Sequence, residues 1–504
     1  MTPPDNVPAQ GPPPRPRALP WRWATAVLAL VAVLSLPEPL PPPPAGAGRP
    51  VFAWRQDEVW RALEQKMLGA HQAKPSEVDR LVADGLAQLS HQLQELRQFP
   101  RAPDDPLLGA LERTVFELAP LVAARPGNLA PYLESVAALR REVKQHSRNW
   151  DLNSLPARQR LYRLLYGSRL AVEEVLLQLP EGTPWTELQR HEDPPSATPS
   201  VTLLGVTVHS GDLLVSRGGA PTSALISRGN DYPGAFSHVA LLHVDPVTRV
   251  PSVIESHIEQ GVAISSLEAY LRDPKLRILI LRLRPDLPAL VSDPQLPHRA
   301  ASAALTEART RHIPYDFAMN HRDPAAQFCS EVASAAYDTV GLRLWMGMSF
   351  LSDPTVTSWL GSIGVRHFET QEPADLEYDS QLTLVAEWRQ RSTLFKGHVD
   401  DAVTDVLFEE SPRGAPLPYS VPLLPFARLS KAWSWGLNQV GRLGPIPEGM
   451  SATAALRVSR YRSEHATRVD RVLRAAEDFR RTRGYLPPYW ELVRLARETR
   501  NRGQ

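Results

Sequence analysis

Three residue types that together perform nucleophilic hydrolysis occur in the middle of this 504-residue chain, in the order histidine, carboxylate, cysteine. Cys329 is the only cysteine, in Gln327-Phe328-Cys329-Ser330-Glu331-Val332. Behind it Val332, Ala333, Ala336, Tyr337 and Val340 recur at three- and four-residue steps, and Gly341 follows. The spacing predicts a short amphipathic helix with a glycine stop and Cys329 in its first turn. A helix N-terminus favours negative charge, so a thiol placed there is expected to ionise more readily than a free one. The alternative role for a lone cysteine is that of a small buried hydrophobe. A base within reach decides between the two.

A thiol nucleophile needs a base to accept its proton, and the base needs a third group to fix its tautomer. Of the fourteen histidines, His238 is the best placed: it begins the strand-like run His238-Val239-Ala240-Leu241 directly after the turn Asn230-Asp231-Tyr232-Pro233-Gly234. A ring at a strand start can face a cleft. The next strand, beyond Asp245-Pro246-Val247, carries Glu255 and His257, which share one face by the period of two. In a hairpin that face can lie beside His238. Spacing leaves the choice of third member open between Glu255 and His257.

Other chemistries find little support. His321-Arg322-Asp323 resembles a kinase catalytic loop, but no glycine-rich loop or Asp-Phe-Gly partner accompanies it. No Gly-x-Ser-x-Gly elbow and no His-Glu-x-x-His helix is present. One cysteine excludes an intrachain disulfide framework and a cysteine-based structural zinc site. No motif calls for a metal or a cofactor, and a net charge of +1 gives no argument for nucleic acid as a partner.

The elements that must position these residues follow from periodicity. Residues 51–180 read as a bundle of about five helices, with Val78, Leu81, Leu86, Leu89, Leu93 and Leu96 as one apolar stripe. Residues 181–200, rich in Pro, Thr and Glu, read as a linker. From Val201 the pattern changes to short strands: Asp212–Ser216, His238–Val244, Val253–His257, Val262–Ser265 and Arg277–Leu281. A helix over Arg299–His312 and the Cys329 helix complete an α+β domain, 201–345, with an antiparallel sheet. Residues 346–504 read as an extension: acidic stretches with Glu372, Asp375, Glu377, Asp379, Asp400, Asp401 and Asp405 are expected to be solvated. The arginine-rich helical tail carries Arg457, Arg460, Arg468, Arg471, Arg474, Arg480 and Arg481 beside Glu464, Asp470, Glu477 and Asp478, which are expected to pair with them.

At the N-terminus, Arg15, Arg17 and Arg22 surround the start of an apolar run that ends at Leu36; prolines and Ala45-Gly46-Ala47 follow. The run is shorter than the roughly 20 residues of a comfortable span. It fits an export signal, with an uncleaved membrane anchor as second reading, and places residues 1–50 outside the folded part. The expected location is the cell envelope or periplasm, with possible membrane association through this segment.

The order of the motifs resembles a known family. Gly211-Asp212-Leu213-Leu214, Phe236-Ser237-His238, Val253-Ile254-Glu255-Ser256, Ile313-Pro314-Tyr315-Asp316-Phe317 and Phe328-Cys329-Ser330-Glu331 are similar to the permuted papain-like amidases of the YiiX/YebB/YaeF type, within the NlpC-type cysteine hydrolases. There the histidine precedes the cysteine because the fold is circularly permuted. The resemblance implies Cys329 as nucleophile, His238 as base and Glu255 as third member. It implies a structural strand start at Gly211-Asp212 and a loop leading to the nucleophile at Pro314-Tyr315-Asp316-Phe317. It implies hydrolysis of an amide, cell-wall peptides being the usual substrates. Relatives with the same permutation act on lipid acyl esters, so a lipase or acyltransferase is the runner-up. A third possibility is a non-catalytic envelope interaction protein.

Overall fold

The computed structural model describes residues 21–38, 46–52, 57–180, 182–183 and 185–499. Its strands are β1 (Leu188–Arg190), β2 (Ser200–Leu203), β3 (Val206–His209), β4 (Leu213–Gly218), β5 (His238–Val244), β6 (Pro251–His257), β7 (Gly261–Ser266), β8 (Lys275–Leu283), β9 (Ser349–Phe350), β10 (Glu369–Thr370) and β11 (Leu382–Arg389). Seven of them form one sheet in the order β1-β11-β8-β4-β5-β6-β7, and every pairing in it is antiparallel. The β2–β3 hairpin and the short β9–β10 pair stand apart.

Alternation along the strands sorts the apolar side chains into two layers. Leu213, Val215, Val239, Leu241 and Ile254 face one core, which includes Val332, Ala333, Ala336 and Tyr337 of the helix Cys329–Asp338. Leu214, Ala240, Leu242 and Val253 face the other, closed by Leu203, Val206 and Val208 of the β2–β3 hairpin and by Tyr270. The sheet with its helices is therefore the α+β arrangement expected from the sequence.

Two strands at one edge come from outside 201–345. β1 lies in the stretch read as a linker, and β11 lies in the stretch read as an extension. β11 pairs with β8 from Leu382↔Leu283 to Arg389↔Arg277, and β1 pairs with β11. Sequence pattern missed them for a physical reason. β1 is three residues long and only half-buried, and β11 follows a cluster of acidic residues that reads as solvated.

The N-terminal region is helical over Asp57–Gln72, Pro75–Gln98, Pro106–Ala124, Leu129–Ser147, and Leu155–Leu161 running through a wider turn into Gly167–Gln178. The stripe on Pro75–Gln98 differs from expectation in one place: Val82 is buried, whereas Leu81 is 42% exposed. These helices share a core with the sheet, since Leu161, Leu165 and Leu176 join the same apolar cluster as Leu213 and Val239.

Buried charges cross that junction. Arg169 and Glu173, four apart on Gly167–Gln178, lie beneath the β8/β11 part of the sheet. Arg169 donates to Glu377 at 2.7 Å and also to Glu387; Arg277 of β8 donates to Glu173, and His398 bonds Glu173 at 2.9 Å. Arg140 reaches Glu377 as well. The acidic stretches expected to be solvated are thus interior. Glu372, Asp375, Glu377 and Asp379 are all buried; Asp375 pairs with Arg158, and Asp379 accepts the backbone N–H of Gln381. Asp400 and Asp401 are buried too, paired with Lys396 and Arg217, and Asp405 takes Arg228 in a two-bond contact. The arginines that neutralise Asp375, Glu377, Asp401 and Asp405 are distant in sequence, so local pattern could not reveal them.

The C-terminal helices Arg391–Glu410, Ala452–Arg483 and Tyr489–Glu498 pack on Pro354–Ile363 through Val399, Val403, Val472 and Leu492. Some of the tail arginines are taken as expected, Arg480 by Glu477 and Arg481 by Asp478, and Arg468 pairs with Glu410. Arg457 is buried instead and donates to the Ser362 carbonyl at 2.7 Å. The apolar run near the N-terminus forms a helix, Trp21–Leu34; its basic forerunners Arg15 and Arg17 and the prolines of 41–44 lie outside the described residues. Among the described residues no helix is long and apolar enough to cross a membrane.

Breaking a buried ion pair from one side leaves an uncompensated charge and costs about 3–5 kcal/mol. Glu377→Ala removes the carboxylate partner of Arg140 and one of the two carboxylates bonded to Arg169, so its urea midpoint should fall by that equivalent, while Glu477→Ala on the exposed tail should leave it within experimental error. The Arg169 and Arg140 charges outweigh burial and hold the Glu377 carboxyl down to about 2. Its stabilisation is therefore complete above the ordinary carboxylate range and is lost as pH falls towards 2. A midpoint for Glu377→Ala equal to that of the wild type would remove this account of the junction.

Candidate active site

The nucleophile helix begins where its sequence signals place it. Cys329 is the first helical residue, Phe328 the cap, and Glu331 accepts the Phe328 N–H at 2.6 Å while the Glu331 N–H bonds the Phe328 carbonyl. The N–H groups of Cys329 and Ser330 belong to the first turn, where no intrahelical acceptor exists. Two bonds pin the approach to the helix. The Gln327 N–H donates to the Pro314 carbonyl, and the buried Ser256 hydroxyl of β6 donates to the Gln327 carbonyl at 2.6 Å. The loop Ile313–Phe317 is itself held against β7, where the Val262 N–H bonds Ile313. Gly261 is required there: its φ is +75° and a Cβ would sit 2.1 Å from the Ile313 carbonyl oxygen.

The resemblance-derived strand start at Gly211-Asp212 is also structural. Gly211 has φ +97° with Pro297 pressed against it, and the buried Asp212 carboxylate accepts two bonds from Arg282 at 2.9 Å. Tyr337 of the nucleophile helix donates to the Gly211 carbonyl at 2.6 Å. The helix is therefore tied to the sheet at both ends.

β5 and β6 pair with Ala240 opposite Glu255. This register puts Glu255 diagonally across from His238 and brings His257 level with it. The His238 Nε2 lies 2.8 Å from Glu255 Oε2, and the His257 Nε2 lies 3.3 Å from Glu255 Oε1. The two rings stack with centroids 5.6 Å apart. The choice that spacing left open has a geometric answer: the carboxylate lies between the two histidines, one oxygen to each.

Cys329 lies on the other side of His238. Its sulfur is 3.9 Å from the Ser237 carbonyl, at the entrance of β5, and its side chain is buried. With Nε2 committed to Glu255, Nδ1 is the nitrogen that remains for the thiol. Burial works against a charged His238 ring, but hydrogen bonds to Cys329 and Glu255 outweigh it and lift the imidazole to about 9. Burial likewise opposes ionisation of Glu255, yet the two histidines hold it well below the usual carboxylate range. At neutral pH the pair is imidazolium and carboxylate.

Two residues that motif reading did not single out stand within electrostatic reach of the thiol. Burial, with Cys329 and Glu372 beside it, raises the Tyr315 hydroxyl well above its ordinary value, so it remains a donor. Burial, with Asp375 and Cys329 adjacent, does the same to the Glu372 carboxyl. Glu331 is pushed to about 9, mainly by burial. Tyr315 lay inside a recognised motif, but nothing in its spacing marks its side chain. Glu372 arrives from beyond the helix through a 3-10 turn that no periodicity announces. No group of three or more potential metal ligands occurs among the described residues.

The model of the permuted papain-like amidases (YaeF/YiiX, C92 family) matches residues 207–386. This stretch belongs to that family. No curated protein and no solved structure matches the chain. The matched stretch runs from β3 into β11, one of the two strands that sequence pattern left out, and it contains His238, Glu255 and Cys329. The domain is that of a papain-like cysteine amidase, a hydrolase, and its family points to a peptide-type substrate.

The imidazolium in such a site is lost as pH rises through its own pKa, so hydrolysis should decline above about pH 9. Glu255→Gln removes the negative charge that favours the protonated ring and should move that alkaline limb to lower pH. Proton NMR of the His238 ring gives the direct measurement. A ring titrating near its ordinary 6.5 in the wild-type protein would contradict the geometry.

Proposed function

We propose that Cys329, His238 and Glu255 form the catalytic triad of an amide hydrolase acting on a cell-wall peptide. The observation that carries this reading is the His238 ring, bonded at 2.8 Å to a buried carboxylate on one nitrogen and facing the only cysteine with the other. The Cys329 thiolate attacks the carbonyl carbon and the C–S bond forms. The oxyanion receives the first-turn N–H of Cys329 and the Tyr315 hydroxyl. As the C–N bond breaks, His238 gives its proton to the leaving nitrogen. A water then enters, His238 takes its proton, the hydroxide adds to the thioester carbon, and the thiolate departs as the acid is released. Glu255 holds the ring in the tautomer that faces Cys329 and stabilises its charge. His257 acts as a positioning residue, holding the second oxygen of Glu255.

In the same reading the protein works at the cell envelope. What supports this is the basic start and apolar run of the N-terminal sequence, with the helix Trp21–Leu34 presenting Val27, Leu28 and Leu30 to the outside.

The test is intact mass spectrometry with peptidoglycan peptide amides and with phospholipids as acyl donors. An acyl adduct on Cys329 from the peptide amide, absent in Cys329→Ala, is expected. His238→Ala should reduce turnover by about 10²–10⁴-fold, the usual contribution of general acid–base catalysis, and His257→Ala should reduce it less than Glu255→Gln. Adducts formed from phospholipid alone would replace the amide by a lipid ester. Thiol labelling of Cys329 that ignores His238→Ala would remove the triad.

A further inference from the structure

We infer that the helix Leu424–Asn438 and the helix Trp21–Leu34 together form a face that docks on the surface of an anionic lipid bilayer. Leu424–Asn438 is two-sided. Leu424 and Ala427 pack on Ile446, Met450 and the helix Ala452–Arg483, while Phe426, Leu429, Trp433 and Trp435 point away from the protein with 56–67% of their surface exposed. Phe426, Leu429 and Trp433 share one face at three- and four-residue steps, with Trp435 exposed on another side, and an exposed apolar face of this kind marks a binding surface. Val440 and Leu443 continue it past the helix end.

The second helix identifies the occupant. Val27, Leu28, Leu30, Val31 and Val33 of Trp21–Leu34 are all exposed, although they lie on different sides of the helix. A protein groove covers one stripe of a helix, whereas lipid surrounds it. Its fourteen residues span about 21 Å, short of the ~30 Å hydrocarbon layer, which suits partial insertion. Arg428 joins the two elements: its guanidinium donates to the carbonyls of Val33 and Leu36 at 3.0 and 2.7 Å, where the apolar helix ends with unsatisfied acceptors.

Charge selects the kind of surface. No Asp or Glu stands between Glu410 and Glu448, while Arg413, Arg428, Lys431 and Arg442 do. Apolar and indole side chains beside lysine and arginine, as over residues 411–447, are the chemistry of a helix lying at an anionic headgroup layer.

Beneath this helix the packing leads towards Tyr315 and Cys329. Phe317 packs on the Leu424 cluster, its ring meets Tyr315 at 4.9 Å edge to face, and Tyr315 neighbours Cys329. A cavity of about 400 Å³ lined by Tyr315, Phe317, Arg366 and Arg457 also takes in Glu38, just beyond the apolar helix. Docking therefore brings the cavity beside Tyr315 near the headgroup layer, and, resting on the amidase reading above, the substrate is an amide on a membrane-anchored or membrane-proximal molecule.

Full-length protein carrying Cys329→Ala, which separates binding from catalysis, is sedimented with vesicles of phosphatidylcholine alone or with phosphatidylglycerol added. Binding to the anionic vesicles, weakened by salt, is expected. Trp433→Ser with Trp435→Ser should lower the partition about tenfold, as should Leu28→Ser with Leu30→Ser, each corresponding to about 1.4 kcal/mol. In the wild-type active-site background the Trp variant should hydrolyse a water-soluble peptide amide normally, which also shows that it folds. No binding to either vesicle, or unchanged binding by the Trp433/Trp435 variant, overturns the inference. So does a dimer by light scattering that the same variant dissociates without any vesicle binding, since that makes the face a contact between copies.

Discussion

The buried charge network between the helix Gly167–Gln178 and the β8/β11 part of the sheet is the constraint on which the rest of the structure depends. Arg169, Glu173, Arg277, Glu377, Glu387 and His398 come from both sides of the junction, and all six are buried. Removing such groups from water is expensive, and their mutual attraction offsets the cost only when the partners are held at hydrogen-bond distance. The geometry is thus demanding: β11, β8, the N-terminal helices and Arg391–Glu410 must be in register together for any of the charges to be satisfied. The apolar core that runs from Leu161 to Val239 supplies non-directional stabilisation, and the charges determine one alignment within it.

The groups of the proposed triad are fixed by a different and more local device. Hairpin register brings Glu255 to His238, because a period of two and the Ala240–Glu255 pairing leave no other placement. Cys329 arrives on its own helix, and its position relative to the hairpin is set by bonds to main-chain carbonyls: the Ser256 hydroxyl to Gln327, the Gln327 N–H to Pro314, the Val262 N–H to Ile313, the Tyr337 hydroxyl to Gly211. These anchors use main-chain atoms and small clearances, as at Gly261, so the thiol is positioned by the sheet itself and not by a flexible loop. Sites built on regular elements in this way hold their geometry more closely than loop-borne ones.

The electrostatics of the cleft follow from its burial. Burial pushes the Glu331 carboxyl to about 9 and raises Glu372 well above its ordinary value, whereas the two histidines hold Glu255 well below the usual carboxylate range, although all three are buried carboxyls. The difference is partnership: Glu255 has an imidazole at each oxygen, and the other two have no cation. Glu255 is therefore the carboxylate placed to stabilise an imidazolium at His238, the arrangement acyl transfer through a thiol requires.

The sequence by itself determined the chemistry-bearing residues and the local elements that carry them. One cysteine at a helix start, one histidine at a strand start and two candidates on the next strand are short-range patterns, and β5 and the nucleophile helix have the bounds or starts those patterns predict. The order of the motifs also marked the family, and that resemblance implied Glu255 as the third member. Tertiary structure decided what depends on distant partners. The Glu255/His257 choice, open on spacing alone, dissolved because cross-strand register places the carboxylate between both rings. Asp375, Glu377 and Asp401 turned from expected solvated acids into buried ion-pair members, and Asp405 into a half-buried one, because their arginines lie far off in the chain. β1 and β11 became sheet strands because a strand of three residues, or one beside an acidic cluster, has identity only through its neighbour. Periodicity records which face of an element is apolar; it carries no information about which charge waits on the other side.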